Sequence, residues 1–192
     1  MAIDRRKLIV EAATQSFALY GYKATTMDQV AKLANVGKGT IYTFFATKEE
    51  LFDQIMSGLI LEMKEVADAE YDASRSFFDI LSRILYRLLD YREKHQLALK
   101  MAQEVRDMGT PKMIEGLDRI ERALQAYIEA KVRAAQDKGE LKRCDPALTA
   151  FVMLKLYLAL AADWQRHSNE PLGKEQIAET FRQFLMEGIA AK

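Results

Sequence analysis

Cysteine is nearly absent. A single Cys144 leaves no intramolecular disulfide to form, which excludes the stapled scaffolds of small secreted proteins and makes a reducing, cytoplasmic setting the expectation. Proline and glycine are scarce, three and nine in 192 residues, too few for the many turns of an all-β chain. With abundant Ala, Leu, Lys and Glu, this points to helices on short connections. Histidine occurs only as His95 and His167. Neither stands in metal-ligand spacing with an acid or with Cys144, and no Gly-rich phosphate loop or nucleophile elbow is present. The expectation is therefore no catalytic residue, no metal, no other cofactor and no enzyme. Long apolar runs are missing too. Residues 147–164 form the most apolar stretch, but they fall short of the roughly 20 needed to cross a bilayer and carry Lys155 midway, so no membrane span is expected. The chain reaches Glu11 before any apolar run of signal-peptide length, and none is expected.

Net charge is also zero, with 28 basic and 28 acidic residues, yet its distribution is uneven. Up to Lys48 there are seven cations (Arg5, Arg6, Lys7, Lys23, Lys32, Lys38, Lys48) against Asp4, Glu11 and Asp28, a surplus of four. The remainder carries the opposite surplus. A basic head on an acidic body suits a protein that presents one end to DNA, and an apolar fraction of 49% is enough for a real core.

The most informative stretch is 24–50. Thr26 can accept the free N–H groups of a helix start, and Gln29 three residues on can reach back to the Thr26 backbone, a capping box. Val30, Ala31, Leu33 and Ala34 then share a short apolar stripe, and Asn35 tolerates the left-handed conformation that leaves a helix. Val36 can plug the turn and Gly37 can open a second helix, in which Ile41 and Phe45 lie four apart on one face. The opposite face carries Lys38, Gly39, Tyr42 and Thr43. This is the pattern of a helix-turn-helix, whose second helix enters a major groove. Lys38, Thr40 and Thr43 can meet phosphates or base edges, Gly39 lets the backbone approach, and Tyr42 offers a hydroxyl on a rigid arm. Thr47 with Glu50 forms a second capping box that starts a long helix, and Lys48 is placed there to meet a phosphate.

These residues resemble the N-terminal domain of TetR-family transcriptional regulators. The likeness rests on Phe17, Gly21, Tyr22, Thr25, Thr26, Val30, Ala31, Ala34, Val36, Lys38, Gly39, Thr40, Ile41, Tyr42, Phe45, Lys48, Glu49 and Leu51, in the family's order and spacing, and covers about a quarter of the chain. Three departures stand out: the family commonly has Gly in place of Asn35, Ser in place of Gly37, and an aromatic followed by His in place of Thr43 and Phe44. Losing the His removes a possible DNA contact, so operator preference does not carry over. The resemblance implies an all-α fold of about nine helices: a three-helix helix-turn-helix DNA-binding domain over 1–47 and a helical ligand-binding and dimerisation domain over 48–192. DNA contacts are expected from Thr25, Thr26, Lys38, Gly39, Thr40, Tyr42, Thr43, Phe44 and Lys48.

Elsewhere, helices are expected over 4–20, ending at Gly21, and over 47–70, with Arg5, Arg6 and Lys7 free to reach a phosphate or a minor groove. Further apolar stripes mark helices at 76–94, 96–108, 110–138, 145–167 and 174–190, two of them opened by Thr110–Pro111 and Asp145–Pro146. The helix from 145 is apolar nearly all round, which calls for two dry neighbours, the core and a partner subunit. By resemblance, the last two helices pair across a twofold axis, with Phe151, Leu158, Trp164, Phe181, Phe184 and Leu185 as the dimer interface. An effector pocket is expected from Phe78, Tyr86, Met101, Met108, Met113, Tyr127, Phe151 and Tyr157. The function implied is a cytoplasmic, homodimeric regulator, most simply a repressor, released from a palindromic operator in double-stranded DNA by a small hydrophobic effector. The competing reading is a dimeric helical ligand- or protein-binding module whose helix-turn-helix no longer reads DNA.

Overall fold

A computed structural model describes residues 4–72, 74–90, 110–168, 170 and 172–186. All regular structure among them is helical: α1 (Arg5–Ala24), α2 (Met27–Leu33), α3 (Lys38–Phe44), α4 (Lys48–Ala69), α5 (Phe77–Asp90), α6 (Pro111–Asp137), α7 (Pro146–Leu158), α8 (Gln165–Ser168) and α9 (Lys174–Phe181), with π turns over Ala159–Asp163 and Arg182–Met186. The helix expected at 96–108, with Met101 and Met108, lies outside the described residues.

The chain forms two compact units, one of Met1–Leu61 with Glu93–Ile120 and one of Glu62–Arg92 with Glu121–Lys192. Helices α4 and α6 each contribute residues to both.

In the first unit Asp4 caps α1 by accepting from the Lys7 N–H at 3.1 Å. The helix breaks at Gly21, whose φ of 79° and ψ of 169° belong to a region that only glycine enters at low cost. The break turns Tyr22 inward. Phe17, Tyr22 and Phe52 then interlock, with ring centroids 5.0–5.6 Å apart in pairs, in the favoured offset and edge-on geometries. Ile9, Ala13, Ile41, Phe45, Leu51 and Met56 complete a dry interior. Met113, expected in the effector pocket, is fully buried in this unit and so cannot line a cavity in the other.

In the second unit Phe78, Leu85 and Leu89 of α5, Val132 and Ala135 of α6, Met153 of α7, and Ile177, Phe181 and Leu185 make one cluster. Asp145 caps α7, accepting from the Ala147 and Leu148 N–H groups at 2.9 and 3.1 Å, and Pro146 takes the first-turn position, as the Asp-Pro signal predicts. Glu140 caps α5 from a distance in sequence by accepting from the Phe77 N–H. The straight helix expected to about residue 167 does not occur. Its ladder widens at Ala159, whose carbonyl takes the Trp164 N–H at 2.8 Å, a π turn that inserts one residue and rotates the helical turns beyond it.

Candidate functional site

The helix-turn-helix forms as its caps predict. Thr26 Oγ1 accepts from the Gln29 N–H at 3.3 Å while Gln29 Oε1 accepts from the Thr26 N–H at 2.9 Å, so both halves of the capping box of α2 are present. Asn35 takes φ 52°, and the Val36 N–H reaches back to the Ala31 carbonyl at 3.0 Å, closing the helix in a left-handed exit. Gly37 opens α3 without a side-chain cap. Ile41 and Phe45 are 0% and 1% exposed, and burying them leaves Lys38, Gly39, Tyr42, Thr43 and Phe44 outward, with Thr40 at the margin.

This outer face is held lightly. Lys38 Nζ pairs with Asp28 Oδ2 at 2.7 Å, and the hydrogen bond from the ammonium to that carboxylate raises the lysine pKa. An exposed pair of this kind is worth little and exchanges readily for a phosphate. Thr43 Oγ1 donates to the Thr40 carbonyl at 2.7 Å, leaving its lone pairs to accept. A Cβ on Gly39 meets nothing within 4 Å, so the protein's own packing does not demand glycine there. Thr26 is exposed beside this face but its hydroxyl is engaged with Gln29.

Two expected contacts take other roles. Thr25 is 0% exposed; its hydroxyl donates to the Gly21 carbonyl at 2.9 Å and pairs with Ser16 Oγ at 3.0 Å. A side chain with no accessible surface cannot reach a phosphate, so Thr25 fastens the end of α1 back onto that helix instead. Lys48 is half-buried. Its ammonium donates to the Tyr22 and Thr25 carbonyls at 2.9 and 3.0 Å and sits 4.4 Å from the Tyr22 ring centroid, closing the free carbonyls behind α1 onto the start of α4. The second capping box is half formed. Thr47 Oγ1 accepts from the Glu50 N–H at 3.1 Å, but Glu50 Oε2 takes the Ala46 N–H at 2.8 Å rather than that of Thr47. Arg6 is engaged as well, donating to Gln54 Oε1 at 2.9 Å and covering the Phe45 ring at 5.1 Å. Sequence reasoning missed the partnership of Tyr22 with Glu49, in which the phenol donates to the carboxylate at 2.7 Å. Burial and that carboxylate push the phenol upward, and the same bond holds Glu49 below its ordinary value. Only Tyr22 following the break residue Gly21 hinted at it.

The second unit holds a cavity of about 140 Å³ walled by Met63 and Ala67 of α4, Leu81, Ile84 and Leu88 of α5, Leu124 and Ile128 of α6, and Leu154. Of the residues named for an effector pocket, Tyr127 and Tyr157 are among its walls. Phe78 belongs to the solid core. Tyr86 faces a charged surface groove with Glu70, Arg83 and Arg87, because α5 turns its Phe78–Leu85–Leu89 stripe inward. Glu70 in that groove accepts from Arg87 Nε at 2.7 Å and Arg83 Nε at 2.8 Å, and these bonds lower its pKa. The walls contributed by α4, with Tyr71, Lys131 and Lys138, were missed, since their order in sequence says nothing about which helices enclose a void.

Phe151 is 44% exposed on α7 and is not among the walls of that cavity. Leu148, Val152, Trp164 and Phe184 are also exposed, and Leu158 is half-buried. Phe181 and Leu185, expected at a dimer interface, are buried in the protomer's own core, because α9 and the π turn after it direct them inward and Phe184 outward.

A capped α2, a left-handed turn and a short α3 with a polar outer face define a helix-turn-helix DNA-binding transcriptional regulator of all-α fold. Residues 9–55 match the model of bacterial regulatory proteins of the tetR family. The chain is 51% identical over 191 residues, all of both chains, to the HTH-type transcriptional regulator YhgD of Bacillus subtilis. It is 28% identical over 154 residues to the HTH-type transcriptional repressor SCO4008 of Streptomyces coelicolor, covering 80% of this chain and 74% of that one. Its fold matches that of SmeT in complex with triclosan with a TM-score of 0.78 at 16% identity, over 98% of this chain and 92% of that one. The chain belongs to the TetR family of transcriptional regulators.

Proposed function

We propose that this regulator is a ligand-responsive repressor that binds as a homodimer to a palindromic operator in the cytoplasm. The observation that carries it is the outer face of α3: Lys38, Gly39, Tyr42, Thr43 and Phe44 stand exposed on a helix whose opposite face is anchored by Ile41 and Phe45. In this reading residues 1–47 form the head that reads DNA and 48–192 the body that dimerises and takes the effector. Lys38, Thr40 and Thr43 meet base edges and phosphates in the major groove, Gly39 admits the backbone, Thr26 and Tyr42 reach phosphates, and Phe44 packs on the groove edge. A twofold dimer then demands half-sites about one helical turn apart or a multiple of it.

The effector enters the cavity, whose walls include Met63 and Ala67 of α4, the helix that starts just after the head. Ligand that favours one setting of α4 shifts the DNA-binding equilibrium, and a coupling of about 1–3 kcal/mol gives a switch of roughly 5 to 150-fold. A repressor among the relatives and a ligand complex among the proteins of like fold support both halves. The test is selection from a random DNA pool at a stated salt concentration, since phosphate contacts make affinity salt-dependent. An enriched inverted repeat is expected. No enrichment from ligand-free, folded, dimeric protein overturns the reading in favour of a module that no longer reads DNA.

A further inference from the structure

The cavity of the second unit is not uniformly apolar. Its walls are aliphatic and aromatic hydrocarbon, Phe77 and Phe181 included, except at Tyr157 and where Tyr71, Tyr127, Lys131, Lys138 and Glu140 meet it on one side. There the Lys131 ammonium lies 4.9 Å from the ring centroids of both Tyr71 and Tyr127, and that of Lys138 lies 5.9 Å from Tyr71, so two cations and two phenols form one cluster. The negative charges nearby are already engaged. Asp68 accepts from Lys131 at 3.0 Å and from the Tyr127 hydroxyl at 2.6 Å, and Glu140 accepts from the backbone N–H that opens α5. Lys138 has no carboxylate partner among the described residues. The two carboxylates balance the two ammoniums in number, but both are held by other donors, and the Lys138 ammonium is left with no direct ion-pair contact among those residues at the edge of an apolar slot.

Resting on the ligand-response reading above, we propose that the effector is a small organic carboxylate. Its head pairs with Lys138, with Lys131 adjacent, and its apolar body fills the slot. The volume sets the size: a cavity of about 150 Å³ lined by apolar side chains admits benzene, so about 140 Å³ suits a body of roughly six carbons. A lipophilic cation is disfavoured, because it must displace Lys131 from Asp68 and meet Lys138 as a like charge. A neutral ligand forgoes the charge-assisted bond that Lys138 offers.

The test is titration calorimetry of the whole protein with three six-carbon probes: hexanoate, hexanol and hexyltrimethylammonium. Hexanoate is expected to bind about tenfold more tightly than hexanol, the scale of one charge-assisted hydrogen bond. Lys138→Gln, an exposed substitution that leaves the core intact, is expected to bring the two within about twofold. Leu88→Trp, which fills the slot, is expected to abolish binding of all three. Hexanol or the ammonium binding as well as hexanoate, or a hexanoate preference that survives Lys138→Gln, overturns the carboxylate assignment while leaving ligand response standing. Hexanoate binding that survives Leu88→Trp overturns the site. If none of the three probes binds the wild-type protein, the six-carbon carboxylate assignment is overturned, while ligand response is judged separately by whether any effector releases the protein from its selected DNA.

Discussion

Gly39 and Lys48 separate residues that build the head from residues proposed to face DNA. Open space surrounds Gly39, and alanine is the better helix former by about 1 kcal/mol, so Gly39→Ala is expected to leave the melting temperature unchanged or raised. In the proposed role it weakens DNA binding by tenfold or more, because the added methyl meets the groove. Lys48→Ala is expected to behave in the opposite sense. It strips a charged donor from two carbonyls and costs about 1–3 kcal/mol of stability, seen in denaturant unfolding, while the slope of log affinity against log salt stays unchanged. A slope reduced by about one counter-ion would instead show that Lys48 leaves its carbonyls for a phosphate. Glu70 carries a pH signature. Arg87 and Arg83 hold its pKa below the ordinary carboxylate value, so its contribution is fully present above that value and is lost as pH falls through the lowered one. The stability gap between wild type and Glu70→Gln is therefore expected to be constant from pH 8 to about 5 and to close on further acidification, measured as the denaturant midpoint against pH.

At the scale of elements, two breaks set the geometry of the head. Gly21 stands at φ 79° and ψ 169°, closed to a side chain except at about 1–3 kcal/mol, whereas Asn35 stands at φ 52°, a region that asparagine tolerates. Gly21→Ala is accordingly expected to destabilise the protein more than Asn35→Ala, and Asn35→Gly to be close to neutral, as thermal unfolding can rank. Both positions were legible in the sequence because a break has a chemical signature. The capping residues Thr26 and Asp145 were legible for the same reason, each acting on N–H groups two or three residues away. Distant partners leave no such mark. Phe77 takes its cap from Glu140, and Glu50 caps Ala46 in place of Thr47. The π turn at Ala159 was equally hidden, since an apolar helix reads the same with or without one inserted residue.

For the molecule as a whole, the exposed Leu148, Phe151, Val152 and Phe184 are an apolar cost that a lone protomer has no reason to carry. In the proposed dimer they are covered. Phe151→Glu is expected to shift sedimentation equilibrium from dimer to monomer and to abolish cooperative binding to an inverted repeat, while Phe181→Glu, which strikes the protomer's own core, is expected to prevent folding instead. Charge acts at the same scale. In the proposed role, the surplus of four cations up to Lys48 is expected to orient the head toward DNA from beyond contact range, an effect that salt removes.

What the sequence determined alone was local: the helical class, the caps of α2 and α7, the breaks at Gly21 and Asn35, the α2–turn–α3 motif and the polar residues on its outer face. Spacings of two to four residues fix those through the backbone's own hydrogen bonds and the helical period. What only the tertiary structure decided was which of the inviting side chains are reachable. Thr25 and Lys48 look like contacts in the chain and are internal fastenings in the fold. Phe181 and Leu185 look like an interface and are core, and the cavity is walled partly by Met63 and Ala67 of α4, which the sequence did not assign to a pocket. Periodicity says that a helix has an apolar face. The direction in which that face points depends on packing between residues far apart in the chain, and no short-range spacing records it.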